Sequence, residues 1–150
     1  MADIAFCFSD LVTDTYSALP PGYFVGMTRI IGQTEYTFTQ ADDAITQYQA
    51  VTTAHAANTS GKKVTPCGAA TDDFFGAAQV AVTDEYYFWC ATRGPMTCKI
   101  ATAATAGLQL ACSATAGVLA TPANTDVAHI RAKAMEAGAA TNAAKAIYAY

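Results

Sequence analysis

The residue types that most often carry chemistry are few in this chain, and their spacing is poor for it. His55 and His129 are the only histidines, and neither has a partner at metal-ligand spacing. HExxH, HxH and CxxC are all missing, so the pattern offers neither a structural nor a catalytic zinc site. Nucleophilic catalysis needs a Ser, Cys or Thr beside a base, but no GxSxG occurs and no family signature surrounds any cysteine. GxGxxG and GxxxxGK[ST] are missing too, which removes support for nucleotide binding. The acidic pairs Asp42-Asp43 and Asp72-Asp73 offer hard oxygen ligands for a divalent cation. Neither sits in a DxDxDG loop, and turn or cap chemistry accounts for both. Paired carboxylates for glycoside hydrolysis stay open as an alternative, with Glu35, Glu85 and Glu136 as the glutamates available. No catalytic residue, metal or cofactor is assigned, and the expectation is a protein that is not an enzyme.

The block that shapes the reading runs from Glu85 to Ala123. It opens on Tyr86, Tyr87, Phe88 and Trp89, turns at Arg93-Gly94-Pro95, and then repeats Ala-Thr-Ala-Gly at 104–107 and 114–117. Short strands joined by tight turns, with small residues where backbones approach, would look like this. In a strand Tyr87 and Trp89 share one face, and Tyr86 and Phe88 the other. One pair is expected to fill the core and the other to meet a neighbouring subunit or segment, with a sugar-stacking platform as the alternative. Glycine permits an unusual backbone angle and proline fixes the next one, so the turn presents Arg93 on a stiff support.

With 150 residues the chain reads as one domain with an arm. Its hydrophobic share is 53% and its charged share 13%, against roughly 25% charged in ordinary domains. Ala and Thr replace the missing charge, which argues against disorder and hints at a surface covered by partners. The net charge is −4, and the eight basic residues form no stripe, so direct nucleic-acid binding is not expected. The start lacks the basic, apolar pattern of a signal peptide. The uncharged run 100–125 is long enough to span a bilayer, but its Gln109, Pro122, Asn124 and many Thr and Ser argue against a membrane span. The five cysteines, Cys7, Cys67, Cys90, Cys98 and Cys112, read as small buried hydrophobes, with a Cys90–Cys98 disulfide across the Arg-Gly-Pro turn as an alternative.

Three stretches are distinguished: an arm over 1–22, strands and a possible short helix over 23–60, and a β-rich core over 61–150. In the arm Phe6 and Phe8 alternate with smaller residues before Leu19-Pro20-Pro21-Gly22. YFVGMTRII and EYTFT read as two strands around Gly32-Gln33. The three-residue spacing of Ile45, Tyr48 and Val51 suits a short helix, while the Gln and Thr content suits a strand. After the loop 58–61 come seven short runs: KKVTPC, FFGAAQVAV, EYYFWCAT, MTCKIAT, LQLAC, VAHIRAKAMEA and AKAIYAY. The last two are rich in Ala, Lys and Glu, so intrinsic propensity favours helix. Strict alternation from Ile130 to Met135 favours a hairpin turning near 138–142. The expected fold is mainly β, a compact β-barrel or sandwich of short strands with an extended N-terminal arm.

The order FFGAAQVAV, YYFWCATRGPMTCKI, ATAGLQL, ATAGVL, IRAKAMEA and AKAIYAY resembles the small head-decoration, or cement, proteins of tailed bacteriophages. The positions that carry the likeness are Gly76-Ala77-Ala78, Tyr87 to Trp89, Gly94-Pro95, Ala106-Gly107, Leu110, Thr115-Ala116-Gly117 and Ala134 to Ala137. Phe88 and Leu108 depart from the family pattern, and the first sixty residues have no counterpart in it. The resemblance implies a β-rich homotrimer on the outer surface of an icosahedral head, assembled in the host cytoplasm. There it would bind the major capsid protein and bridge its subunits. Phe6, Phe8, Tyr86, Phe88, Arg93 and Pro95 are the expected interface residues. The alternatives are another virion structural protein (a capsid subunit domain, tail or fibre component) and a small carbohydrate-binding β-module.

Overall fold

A computed structural model describes residues 12–54, 63–102, 104–122, 131–138 and 143–150, and it is all β: no helix forms among them. The eleven strands are β1 Thr15–Tyr16, β2 Thr28–Ile31, β3 Thr34–Ala41, β4 Ala50–Thr53, β5 Lys63–Pro66, β6 Gly76–Ala78, β7 Tyr87–Ile100, β8 Gln109–Cys112, β9 Leu119–Ala120, β10 Ala132–Ala134 and β11 Ala143–Ala149. Ten are short. The exception is β7, with 14 residues, which organises the rest.

Hydrogen bonding closes two rings on that strand. The N-terminal half of β7 pairs with β3, β3 with β5, β5 with β4, β4 with β6, and β6 with β7 again. Its C-terminal half pairs with β11, β11 with β10, β10 with β8, β8 with β9, and β9 with β7 again. Each ring is a small barrel with no free edge of its own. Ala41, Val51, Val64, Ala78, Phe88 and Cys90 fill the first, with Ile45 and Val82 from an isolated bridge. Met96, Cys98, Ile100, Leu110, Cys112, Leu119, Ala132, Ala134 and Ile147 belong to the cluster that fills the second.

Between the rings the expected turn at Arg93-Gly94-Pro95 is replaced by continuous strand with a bulge. The register slips by one residue between Glu35 and Tyr36, which face Arg93 and Ala91 and leave Thr92 as the extra residue. Gly94 follows at φ +86°, and a Cβ there would run into the carbonyl oxygen of Gln33. That close approach brings the Thr34 hydroxyl to donate to the Pro95 carbonyl at 2.6 Å. The Gln79 side-chain amide ties the far side of β7: it donates to the Thr97 carbonyl at 2.9 Å and accepts from the Thr97 N–H.

Two further expectations are decided. The stretch that suited either a helix or a strand contains strand β4 and the Ile45–Val82 bridge. The Ala-rich C-terminus forms the hairpin-type pair, Ala132 opposite Ala149 and Ala134 opposite Ile147; residues 139–142 lie outside the described set. Among the described residues no helix is long and apolar enough to cross a membrane.

Gly94→Ala should therefore destabilise the chain by about 3 kcal/mol or more, since an unfavourable φ and a backbone collision add. Gly107→Ala should cost only about 1–2 kcal/mol, because Gly107 has a similar φ of +87° but open space around it. Equal losses of thermal stability in the two variants would contradict a structural role for the seam.

Candidate functional site

The aromatic run does not form a surface platform. Phe88 is 0% exposed and points into the first barrel, where Tyr86 packs half-buried against the same cluster. Trp89 and Tyr87 point the other way, and the segment after residue 12 covers them. Phe38 lies 5.1 Å from Trp89 and 5.0 Å from Tyr23, and the Arg29 guanidinium sits 4.7 Å above the indole ring. Neither face is free to stack a sugar. Phe88 is thus corrected from interface to core: the alternation was read properly, but the closed barrel buries the face chosen for contact. Phe6 and Phe8 lie outside the described residues, as do His55, His129 and Cys7.

Arg93 and Pro95 are exposed, and among the described residues they are the predicted interface residues that lie together on the surface. The register puts Ile30 opposite Glu35 and Glu35 opposite Arg93, in one row across β2, β3 and β7. Across the seam Tyr148 pairs with Pro95. Ile30, Gln33, Glu35, Arg93, Tyr148 and Tyr150 line a groove of about 410 Å³. Ile30 is 72% exposed, and Ile31, Tyr148 and Tyr150 are exposed as well. Tyr148 and Tyr150 stand with ring centroids 6.2 Å apart. Glu35 and Arg93 are direct cross-strand neighbours of opposite charge, yet neither side chain makes an ion pair or hydrogen bond among the described residues. The sequence reading missed Ile30, Ile31, Tyr148 and Tyr150. The adjacent isoleucines of β2 and the closing Tyr-Ala-Tyr were visible, but that they are exposed and share one groove depends on the pairing of β2, β3, β7 and β11.

The titratable groups are dispersed. Glu35 lies in the groove, Glu136 pairs with Lys145 at 3.6 Å, and Glu85 pairs with Lys63 at 2.7 Å. Lys63 also reaches Asp42 at 3.4 Å. The Glu85 hydrogen bond, followed by Asp42, holds the Lys63 ammonium above its ordinary pKa. This cluster ties the short parallel pairing of β3 and β5. Asp72 accepts from the Gly68 and Ala69 N–H groups, as a turn aspartate does. Among the described residues no group of three His, Cys, Asp or Glu is arranged to hold a metal ion.

Four cysteines are free and buried: Cys67, Cys90, Cys98 and Cys112. Cys90 and Cys98 lie on one strand, so the hairpin that would have paired them does not exist. Burial pushes the Cys90 and Cys98 thiols well above their ordinary pKa, and the neighbouring Cys112 thiol followed by burial does so for Cys67. Because the folded-state values are raised, the stability these thiols contribute is fully present below about pH 9. It declines as pH rises past that point, where only the unfolded chain ionises. In a Cys7→Ser variant the four thiols should resist a thiol reagent until the chain is unfolded, and the urea midpoint should fall as pH rises above about 9. Rapid labelling of the folded chain would contradict this.

Compared with known proteins, the chain matches no protein-family model and no curated protein sequence.

Proposed function

We propose that this chain is a non-enzymatic capsid decoration protein: it binds the outer surface of an icosahedral phage head, bridges neighbouring major capsid subunits and stiffens the shell. The observation that carries this reading is the distribution of exposed large apolar side chains over separate parts of one body. Ile30, Ile31, Tyr148 and Tyr150 lie at the seam. Phe24, at 59% exposure, and Leu19 lie on the segment over the first barrel, and Leu108 and Met135 lie together on the second. The Leu108 carbonyl accepts from the Ala134 N–H at 2.9 Å, which holds that last pair side by side.

A bridging protein needs this arrangement. One contact face suffices for binding, but linking two neighbours requires at least two faces on a body that does not deform. Two closed barrels on a shared strand supply the rigid body, and the resemblance to head-decoration proteins supplies the partner. A standard interface buries on the order of 1,600 Å², and modest contacts repeated over a shell add up through multivalency. With a net charge of −4 and scattered basic residues, contact with the enclosed genome is not part of the proposal.

Quantitative mass spectrometry of virus particles purified from the source of this chain should find about one copy per major capsid subunit. A Leu108→Asp/Met135→Asp variant should occupy particles on the order of tenfold less while folding normally. A few copies per particle, or none, would overturn the decoration reading.

A further inference from the structure

We propose that Cys67 and Cys112 are a redox-dependent pair: in an oxidising medium they form a disulfide that staples the first barrel to the second, at a junction other than their shared strand.

The backbone defines that junction. Cys67 directly follows β5 and extends its pairing with β4, donating its N–H to the Ala50 carbonyl at 3.0 Å, so it belongs to the first barrel. Cys112 ends β8 opposite Leu119 of β9, in the second. The turn from β8 to β9 reaches across. The Gly117 N–H donates to the Cys67 carbonyl at 2.7 Å, and the Gly117 carbonyl accepts from the Ala50 N–H at 2.8 Å. Gly117 has a φ of +70°, and a Cβ there would strike the Gln49 side chain, so this close approach needs glycine.

The side chains select the pair. The Cys90 thiol donates to the Ala91 carbonyl and the Cys98 thiol to the Lys99 carbonyl, each at 3.7 Å and each to the next residue of β7. Cys67 instead has the Cys112 thiol as its hydrogen-bonding neighbour. Both are buried in one apolar cluster with Ala50, Ala77, Ala104 and Leu119. Two thiols meeting across a junction are placed to join with little backbone movement, and the disulfide leaves no thiol hydrogen to satisfy in that interior. A small-molecule disulfide such as oxidised glutathione is the oxidant, acting as the chain folds. One cysteine thiolate attacks its S–S bond, giving a mixed disulfide and one released glutathione. The other cysteine thiolate attacks the protein sulfur of that mixed disulfide and releases the second glutathione. Two electrons pass to the oxidant, and the two thiol protons end on the two glutathiones. In a reducing medium the pair stays as thiols and hydrogen bonds alone hold the junction.

The test uses the isolated full-length chain, so its outcome does not depend on the capsid reading. The reduced chain is unfolded in urea, refolded in oxidised and reduced glutathione, alkylated and digested with trypsin. Cleavage after Lys63, Arg93, Lys99 and Arg131 puts Cys67 and Cys90 in fragment 64–93, Cys98 in 94–99 and Cys112 in 100–131. Fragments 64–93 and 100–131 should be found joined, and tandem mass spectrometry should locate the bond at Cys67, with Cys90 and Cys98 alkylated. The oxidised chain should unfold at a urea concentration about 1 M or more above the reduced chain, because the crosslink restricts the unfolded state. Cys67→Ala should abolish both the link and the difference between the two media. Absence of the link, a link through Cys90 or Cys98, or a Cys67–Cys112 link that leaves the urea midpoint unchanged would overturn the proposal.

Discussion

The structure depends on one close approach of backbone to backbone, where Gly94 passes the carbonyl of Gln33. One strand of 14 residues serves two closed rings in turn, so its inward face has to change from one interior to the other. The bulge at Thr92 and the positive φ at Gly94 make that change within a few residues. A side chain at Gly94 would push β3 away from β7 and with it the Thr34–Pro95 hydrogen bond that spans the seam. The same seam places Arg93 and Pro95 on the surface and brings β2 and the end of β11 to either side of one groove. The fold and the groove thus have a common origin.

Barrel size explains the composition. A ring of five strands encloses little space, and barrel diameter grows with strand number. The cluster in and around the second ring accordingly holds Ala50, Ala77, Ala91, Ala104, Ala132, Ala134 and Ala149, together with Cys67, Cys98 and Cys112. Alanine is here a space-limited core residue, and the cysteines act as slightly larger versions of it. The first ring takes one large aromatic, Phe88, beside small residues such as Ala41, Ala78 and Cys90, and Phe38, Trp89 and Tyr23 lie in a layer outside it.

That logic also shows what the sequence could and could not reveal. Alternation made β3, β10 and β11 readable, and it outweighed the helical propensity of the Ala-rich C-terminus because the buried alanines keep a period of two. The faces of Tyr86 to Trp89 were readable in the same way. Their destinations were not, since local pattern cannot tell an inner core from an outer layer covered by a distant segment. Arg93-Gly94-Pro95 has the composition of a turn, and only tertiary pairing on both flanks holds it as strand. Ile30 and Tyr148, more than a hundred residues apart, meet through β3 and β7; no local spacing encodes that meeting.

A rigid two-ring body presenting the seam face requires both halves of β7 to open together. Native-state hydrogen exchange resolved along the chain measures this directly. The account predicts that the amides of 87–93 and 94–100 exchange together, with the free energy of global unfolding. Exchange of one half by a separate, lower-energy opening while the other stays protected would show two independent barrels, and would contradict the account.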